Sequence, residues 1–105
     1  AALLASPAVS AQTVLAQATA PAPAAAPAYE PKVGQEGKDV VWVPSPQALV
    51  DRMLDMAKVT KDDYVIDLGS GDGRTVITAA KRGARAHGIE YNPDLVTLSQ
   101  RNAEA

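Results

Sequence analysis

Along the chain the spacing of apolar residues changes period four times, and each change marks an expected element. Val40-Val41-Trp42-Val43 opens the part expected to be ordered. Ser45 followed by Pro46 predicts a helix start, with Ser45 as N-cap and Pro46 at the first helical position. Leu49, Met53 and Ala57 recur at i, i+4 and i+8, with Val50 and Leu54 beside them. One apolar stripe is therefore expected on a helix to about Lys58, with Asp51, Arg52 and Asp55 on the other face. Tyr64 to Leu68 is a short, partly β-branched apolar run that stops at a Gly-rich turn, the signature of a buried parallel strand. Val76, Ile77, Ala79 and Ala80 predict a helix from about Gly73 to Arg82, ended by Gly83. Arg85 to Glu90 reads as a second strand, in which His87 and Gly88 are the poor strand formers. Asn92-Pro93-Asp94 restarts a helix with a cap, a proline and an acidic first turn, and Leu95, Val96, Leu98 and Ser99 face inward on it. Helix, strand, helix, strand, helix predicts an α/β fold, the N-terminal part of a doubly wound parallel sheet.

Before residue 40 no such period exists. Ala1 to Tyr29 carries no charged residue and is mostly Ala with Pro, Thr, Gln and Ser. Residues 1–11 resemble the end of an export signal: Ala-Ala-Leu-Leu-Ala as the tail of an apolar region, then Val9-Ser10-Ala11 with cleavage before Gln12. Residues 12–39, with the Thr19 to Pro27 text TAPAPAAAP, are expected to form a disordered linker. Proline removes backbone donors there, and the alanines offer too little apolar area to offset ordering entropy. Residues 40–105 are left as the globular part, which is expected to belong to a longer protein.

Composition narrows the chemistry. Net charge is -2, and all of it lies after Tyr29, so electrostatics give no reason to expect nucleic acid as a partner. Without Cys there is no disulfide framework or thiolate nucleophile, and the single His87 excludes imidazole clusters, so no metal site is expected. The early apolar run is too short for a membrane-spanning helix, which needs about 20 residues. Nothing in the sequence sets an oligomeric state.

The informative stretch is Val65-Ile66-Asp67-Leu68-Gly69-Ser70-Gly71-Asp72-Gly73, where a strand turns into a helix. Open α/β sheets bind ligands at that position. Glycines let the backbone approach a ligand, and amides at the following helix start are expected to hold an anionic group. A dinucleotide fingerprint fails, because its third glycine would fall on Arg74. A phosphate-binding P-loop fails too, because no Gly-Lys-Ser/Thr follows. Asp67 at the strand end would repel a pyrophosphate but could pair with the ammonium of an amino-acid moiety.

Asp67 to Gly73 (DLGSGDG) resembles motif I of class I S-adenosylmethionine-dependent methyltransferases. With WVPSP at Trp42 to Pro46 and GIEYNP at Gly88 to Pro93, the chain is most similar to bacterial relatives of the ATP synthase c-subunit lysine methyltransferases. The resemblance implies a Rossmann-like methyltransferase sheet, S-adenosyl-L-methionine as cofactor, and Asp67, Gly69, Ser70, Gly71, Gly73, Glu90 and Tyr91 as its binding residues. Glu90, 17 residues after Gly73, would take the ribose hydroxyls, and Tyr91 would pack on the adenine face. It further implies a methyl acceptor that is a protein lysine or a small molecule, and a Val-Pro-Ser/Thr segment near the cofactor. In this family the acceptor-binding and catalytic segment follows the fourth strand, so no catalytic residue is named.

Several residues keep two readings. Trp42 is either a core aromatic or part of a cofactor lid. Tyr91 either packs on adenine or covers the sheet edge. Asp72 either touches the ammonium or favours the turn. Arg74 is expected to be solvated, because a cation gains nothing from a helix N-terminus, and His87 to be structural. Two other functions share the half-fold: aminopropyl transfer from a decarboxylated cofactor, and non-catalytic nucleoside binding. An exported location sits awkwardly with a cofactor made inside the cell.

Overall fold

A computed structural model describes residues 2–4 and 26–105. The export reading of residues 1–11 and the first half of the expected linker fall almost wholly outside them. Five elements form in the expected order: α1 (Gln47–Met56), β1 (Tyr64–Leu68), α2 (Arg74–Lys81), β2 (Arg85–Ile89) and α3 (Pro93–Glu104). β1 and β2 pair in parallel from Tyr64↔Arg85 to Leu68↔Ile89. Parallel neighbours cannot be joined by a tight turn, and α2 supplies the crossover. The α/β expectation holds. Among the described residues no helix is long and apolar enough to cross a membrane.

Helix ends depart from expectation in two instructive places. α1 starts one residue late: Pro46, with ψ 142, stands outside the first turn as N-cap, and its carbonyl accepts the amides of Leu49 and Val50 at 3.0 and 3.1 Å. Ser45 is therefore not the cap; its carbonyl is taken by Arg74 at 2.8 Å. α1 and α2 then end in the same way. Val59 N–H reaches back to the Leu54 carbonyl while Lys58 N–H bonds Asp55, and Ala84 N–H reaches Ala79 while Gly83 N–H bonds Ala80. Both are Schellman closures, which need a left-handed residue. Gly83 meets that need at φ 88, as expected; at the end of α1 it falls to Lys58 at φ 54. α3 starts as predicted, with Asn92 Oδ1 accepting the Asp94 amide at 2.9 Å and Pro93 in the first turn.

The core lies where α1 and the sheet meet α2: Val50, Leu54 and Ala79 are buried, with Val59, Val65 and Ala86 packed on them. Leu95 and Leu98 of α3 are buried, while Val96 and Ser99 are half-buried. Only one edge of the α1 stripe is used, since Leu49 and Met53 stay 56% and 46% exposed. β1 is also not buried on both faces. Val65 and Asp67 point toward the covered side with Ala86 and Gly88 of β2, while Tyr64, Ile66, Leu68, His87 and Ile89 face out. Gly88 has a packing reason: a Cβ there would sit 2.5 Å from Ser70 Oγ.

Residues 29–39, within the stretch read as linker, have no helix or strand but are tied down. Gln35 Nε2 donates to Tyr29 Oη at 2.6 Å, and Arg101 Nη2 to the Tyr29 carbonyl at 3.2 Å. Gly34 N–H bonds the Trp42 carbonyl and Trp42 N–H the Gln35 carbonyl at 2.8 and 2.9 Å, closing residues 34–42 into a loop. A left-handed lysine carries a steric cost of about 1 kcal/mol that glycine lacks. Lys58→Gly should therefore raise unfolding free energy in urea by about 0.5–1 kcal/mol, whereas Gly83→Ala should lower it by at least as much.

Candidate functional site

Beyond Leu68 the chain reverses through Gly69, Ser70, Gly71, Asp72 and Gly73 into α2. Two glycines are required by close packing. A methyl group on Gly71 would lie 2.9 Å from Trp42 Nε1, and one on Gly73 would lie 2.8 Å from Ser99 Cβ. Gly69 differs, since nothing lies within 4 Å of where its Cβ would be. Four of the turn's five amides are engaged inside the protein. Gly69 and Ser70 donate to the Ile89 carbonyl at 2.7 and 3.0 Å, Gly71 to Glu90 Oε2 at 2.7 Å, and Gly73 to the Ser70 carbonyl at 2.9 Å. The turn thus closes onto the end of β2. At the start of α2, where amides are expected to hold an anionic group, the Arg74 amide bonds Asp72 Oδ1 at 3.3 Å.

Glu90 is the counterpart on that strand end. Its second oxygen, Oε1, accepts the Asn92 amide at 3.0 Å. A carboxylate has about four acceptor positions, so two remain for hydroxyls. Tyr91 is 70% exposed, and Lys38 Nζ stands 5.1 Å from its ring centroid. Together these residues border a cleft of about 720 Å³ at the carboxyl ends of the strands. Gly69, Ile89, Glu90 and Tyr91 form one side, and the loop from Gln35 to Val43 the other.

Of the seven residues singled out, Gly69, Glu90 and Tyr91 line this cleft. Ser70, Gly71 and Gly73 build the turn behind it, with the Ser70 side chain over Gly88. Asp67 is half-buried one residue before the end of β1, opposite Gly88. Trp42 is half-buried against Gly71 and also borders the cleft. Gln35 and Lys38 were not foreseen. They sit in a stretch without apolar period, and only tertiary contact brings them here.

Arg74 is not solvated, contrary to expectation. Its Nη2 and Nε donate to Asp72 Oδ2 and Oδ1 at 2.6 and 3.0 Å, and its Nη1 to the Ser45 carbonyl at 2.8 Å. The side chains of Arg74 and Asp72 are 31% and 15% exposed. Asp72 Oδ1 also takes the Arg74 amide at 3.3 Å, which supports the turn reading of Asp72. The Arg74 hydrogen bonds hold the Asp72 carboxyl below its usual range against the opposing effect of burial, and Asp72 raises the Arg74 pKa in return.

A carboxyl depressed in the folded state stabilises above its unfolded pKa of about 3.9, and loses that contribution as pH falls through the folded value. Asp72→Asn should therefore lower the melting temperature at pH 7 by about 5 °C, the shift expected for a loss of about 1 kcal/mol in a small domain. The gap to the wild type should narrow as pH falls below the unfolded value and close once it passes the lowered folded one. Thermal unfolding from pH 7 to pH 2 checks both parts.

Known proteins resemble this chain. A protein-lysine N-methyltransferase of Saccharolobus islandicus is 48% identical over 67 residues, which is 62% of this chain and 42% of that protein. The ATP synthase c-subunit lysine N-methyltransferase of Xenopus laevis is 46% identical over 59 residues, 56% of this chain and 26% of its own. A crystal structure of an RNA methyltransferase from Salinibacter ruber, in complex with S-adenosyl-L-homocysteine, is 56% identical with a TM-score of 0.58, covering 59% of this chain and 41% of that one. The chain spans less than half the length of each of these relatives. They bear out the resemblance carried by DLGSGDG and GIEYNP. Residues 35–105, about two thirds of the chain, match the family described as histone methylation protein DOT1, and the chain belongs to that family.

Proposed function

We propose that this chain forms the cofactor-holding part of an S-adenosylmethionine-dependent methyltransferase whose acceptor is a protein lysine. The cleft at the carboxyl ends of β1 and β2 carries the reading. Its volume is within the roughly 300–1,000 Å³ of small-molecule sites, and its donor set fits the group. Open space beside Gly69 lets a ligand approach the backbone, Glu90 has acceptor positions left for two hydroxyls, and the Tyr91 ring is accessible for stacking. Asp67, behind the turn, supplies negative charge toward an ammonium, while Ser70, Gly71 and Gly73 hold the turn's shape. When bound, S-adenosylmethionine supplies a methyl group on a sulfonium. The chain's own part is to orient that end and exclude water, for which Trp42 and Val43 provide an apolar wall. A lysine acceptor must be neutral before it attacks, so a base or a water path is required. No residue here is assigned that task.

The lysine acceptor is favoured by the names of the Saccharolobus and Xenopus relatives. A second reading, an RNA acceptor, is favoured by the name of the Salinibacter structure, although a net charge of -2 offers little attraction to phosphates. No observation favours aminopropyl transfer.

Calorimetry with S-adenosyl-L-homocysteine should show saturable binding, weakened on the order of tenfold or more by Glu90→Ala and by Asp67→Ala. Unchanged affinity in both variants would remove the site assignment. With a methyl-labelled donor and the longer protein to which this chain is expected to belong, label should appear on the recombinant ATP synthase c-subunit and not on total RNA. Label on RNA alone selects the second reading, and binding without any transfer leaves a nucleoside-binding module.

A further inference from the structure

We propose that Arg74 is a positioning residue for the cleft: its guanidinium locks the Trp42–Pro46 segment onto the glycine turn and so shapes the site before a ligand enters. The inference rests on the cofactor-cleft reading above. Arg74 does not border that cleft. It faces a smaller hollow of about 430 Å³ between the helices, beside Gln47, Asp51 and Asn102. A cation in the first turn of a helix is opposed by the helix dipole, so its presence there calls for specific partners.

Those partners close a ring. Covalent chain runs from Trp42 to Ser45. The Ser45 carbonyl accepts Arg74 Nη1, Arg74 is paired with Asp72, Asp72 is bonded in sequence to Gly71, and Gly71 packs on the Trp42 indole. The ring has a local reason. Pro44 and Pro46 flank Ser45 and have no N–H, so the segment has few amides of its own to pin it there, and the Ser45 carbonyl supplies the hold. Asn102 Nδ2 adds a hold from α3 on the Asp72 carbonyl at 3.0 Å, so the turn cannot yield in the opposite direction. Trp42 and Val43, at the start of the clamped segment, are wall residues of the cleft. Only a planar fork of donors satisfies Asp72 twice and Ser45 once; a lysine ammonium reaches one or the other.

Trp42 is the only tryptophan of the chain and reports on its own mobility. In the full chain, Arg74→Ala should raise acrylamide quenching of Trp42 and weaken S-adenosyl-L-homocysteine binding on the order of tenfold, measured by calorimetry. Arg74→Lys, which keeps a charge for Asp72, should melt within a few degrees of the wild type yet show the same direction of change in quenching and affinity. If Arg74→Ala fails to fold, Arg74→Lys decides. A variant that melts lower while quenching and affinity stay at wild-type values overturns the proposal, since the role is then structural alone. Should the wild type bind no S-adenosyl-L-homocysteine, the cleft reading fails, and quenching by itself still decides whether Arg74 clamps Trp42.

Discussion

The Glu90 carboxylate joins two chain reversals that lie far apart in sequence. One oxygen takes the Gly71 amide at the turn after β1, and the other takes the Asn92 amide where α3 begins. Hydrogen bonds to an ionised acceptor are shorter and stronger than neutral ones, and a half-buried carboxylate without donors would be costly. Glu90 therefore holds the glycine turn against the end of β2, and the Ile89 carbonyl reinforces the same seam by accepting from both Gly69 and Ser70. Remove that seam and the cleft loses its floor. Glu90, proposed above for ribose hydroxyls, is thus already a structural tie, with only its remaining acceptor positions left for a ligand.

Around this seam the rest of the site is built by constraint from several sides. Gly71 leaves room for the Trp42 indole, and Gly73 for Ser99 of α3, so close packing holds both positions to glycine. Gly88 does the same for Ser70 across the two strands. Arg74 and Asp72 close the turn against the entry to α1. The outcome is a turn whose polar groups face inward and whose open side is left to Gly69, Glu90 and Tyr91.

The opposite wall comes from a segment of a different kind. Residues 34–42 form a loop closed by paired backbone hydrogen bonds, anchored through Gln35 to Tyr29 and through Tyr29 to Arg101 of α3. Lys38 rests over the Tyr91 ring, a contact of modest energy at an exposed site.

Local chemistry in the sequence was enough for the elements and their order, for the stop at Gly83, the cap at Asn92 and the position of the glycine turn at a strand end. Each depends on neighbours within a few residues, which is why periodicity and capping rules reach it. Tertiary structure alone decided the rest. Which edge of the α1 stripe is buried depends on where α2 packs, and the left-handed Lys58 follows from a closure that glycine usually makes. The pairing of Arg74 with Ser45 spans 29 residues, and the fastening of Gly71 to Glu90 spans 19. Hydrogen-bond partners at that separation are chosen by how strands and helices stack, and no local pattern encodes them.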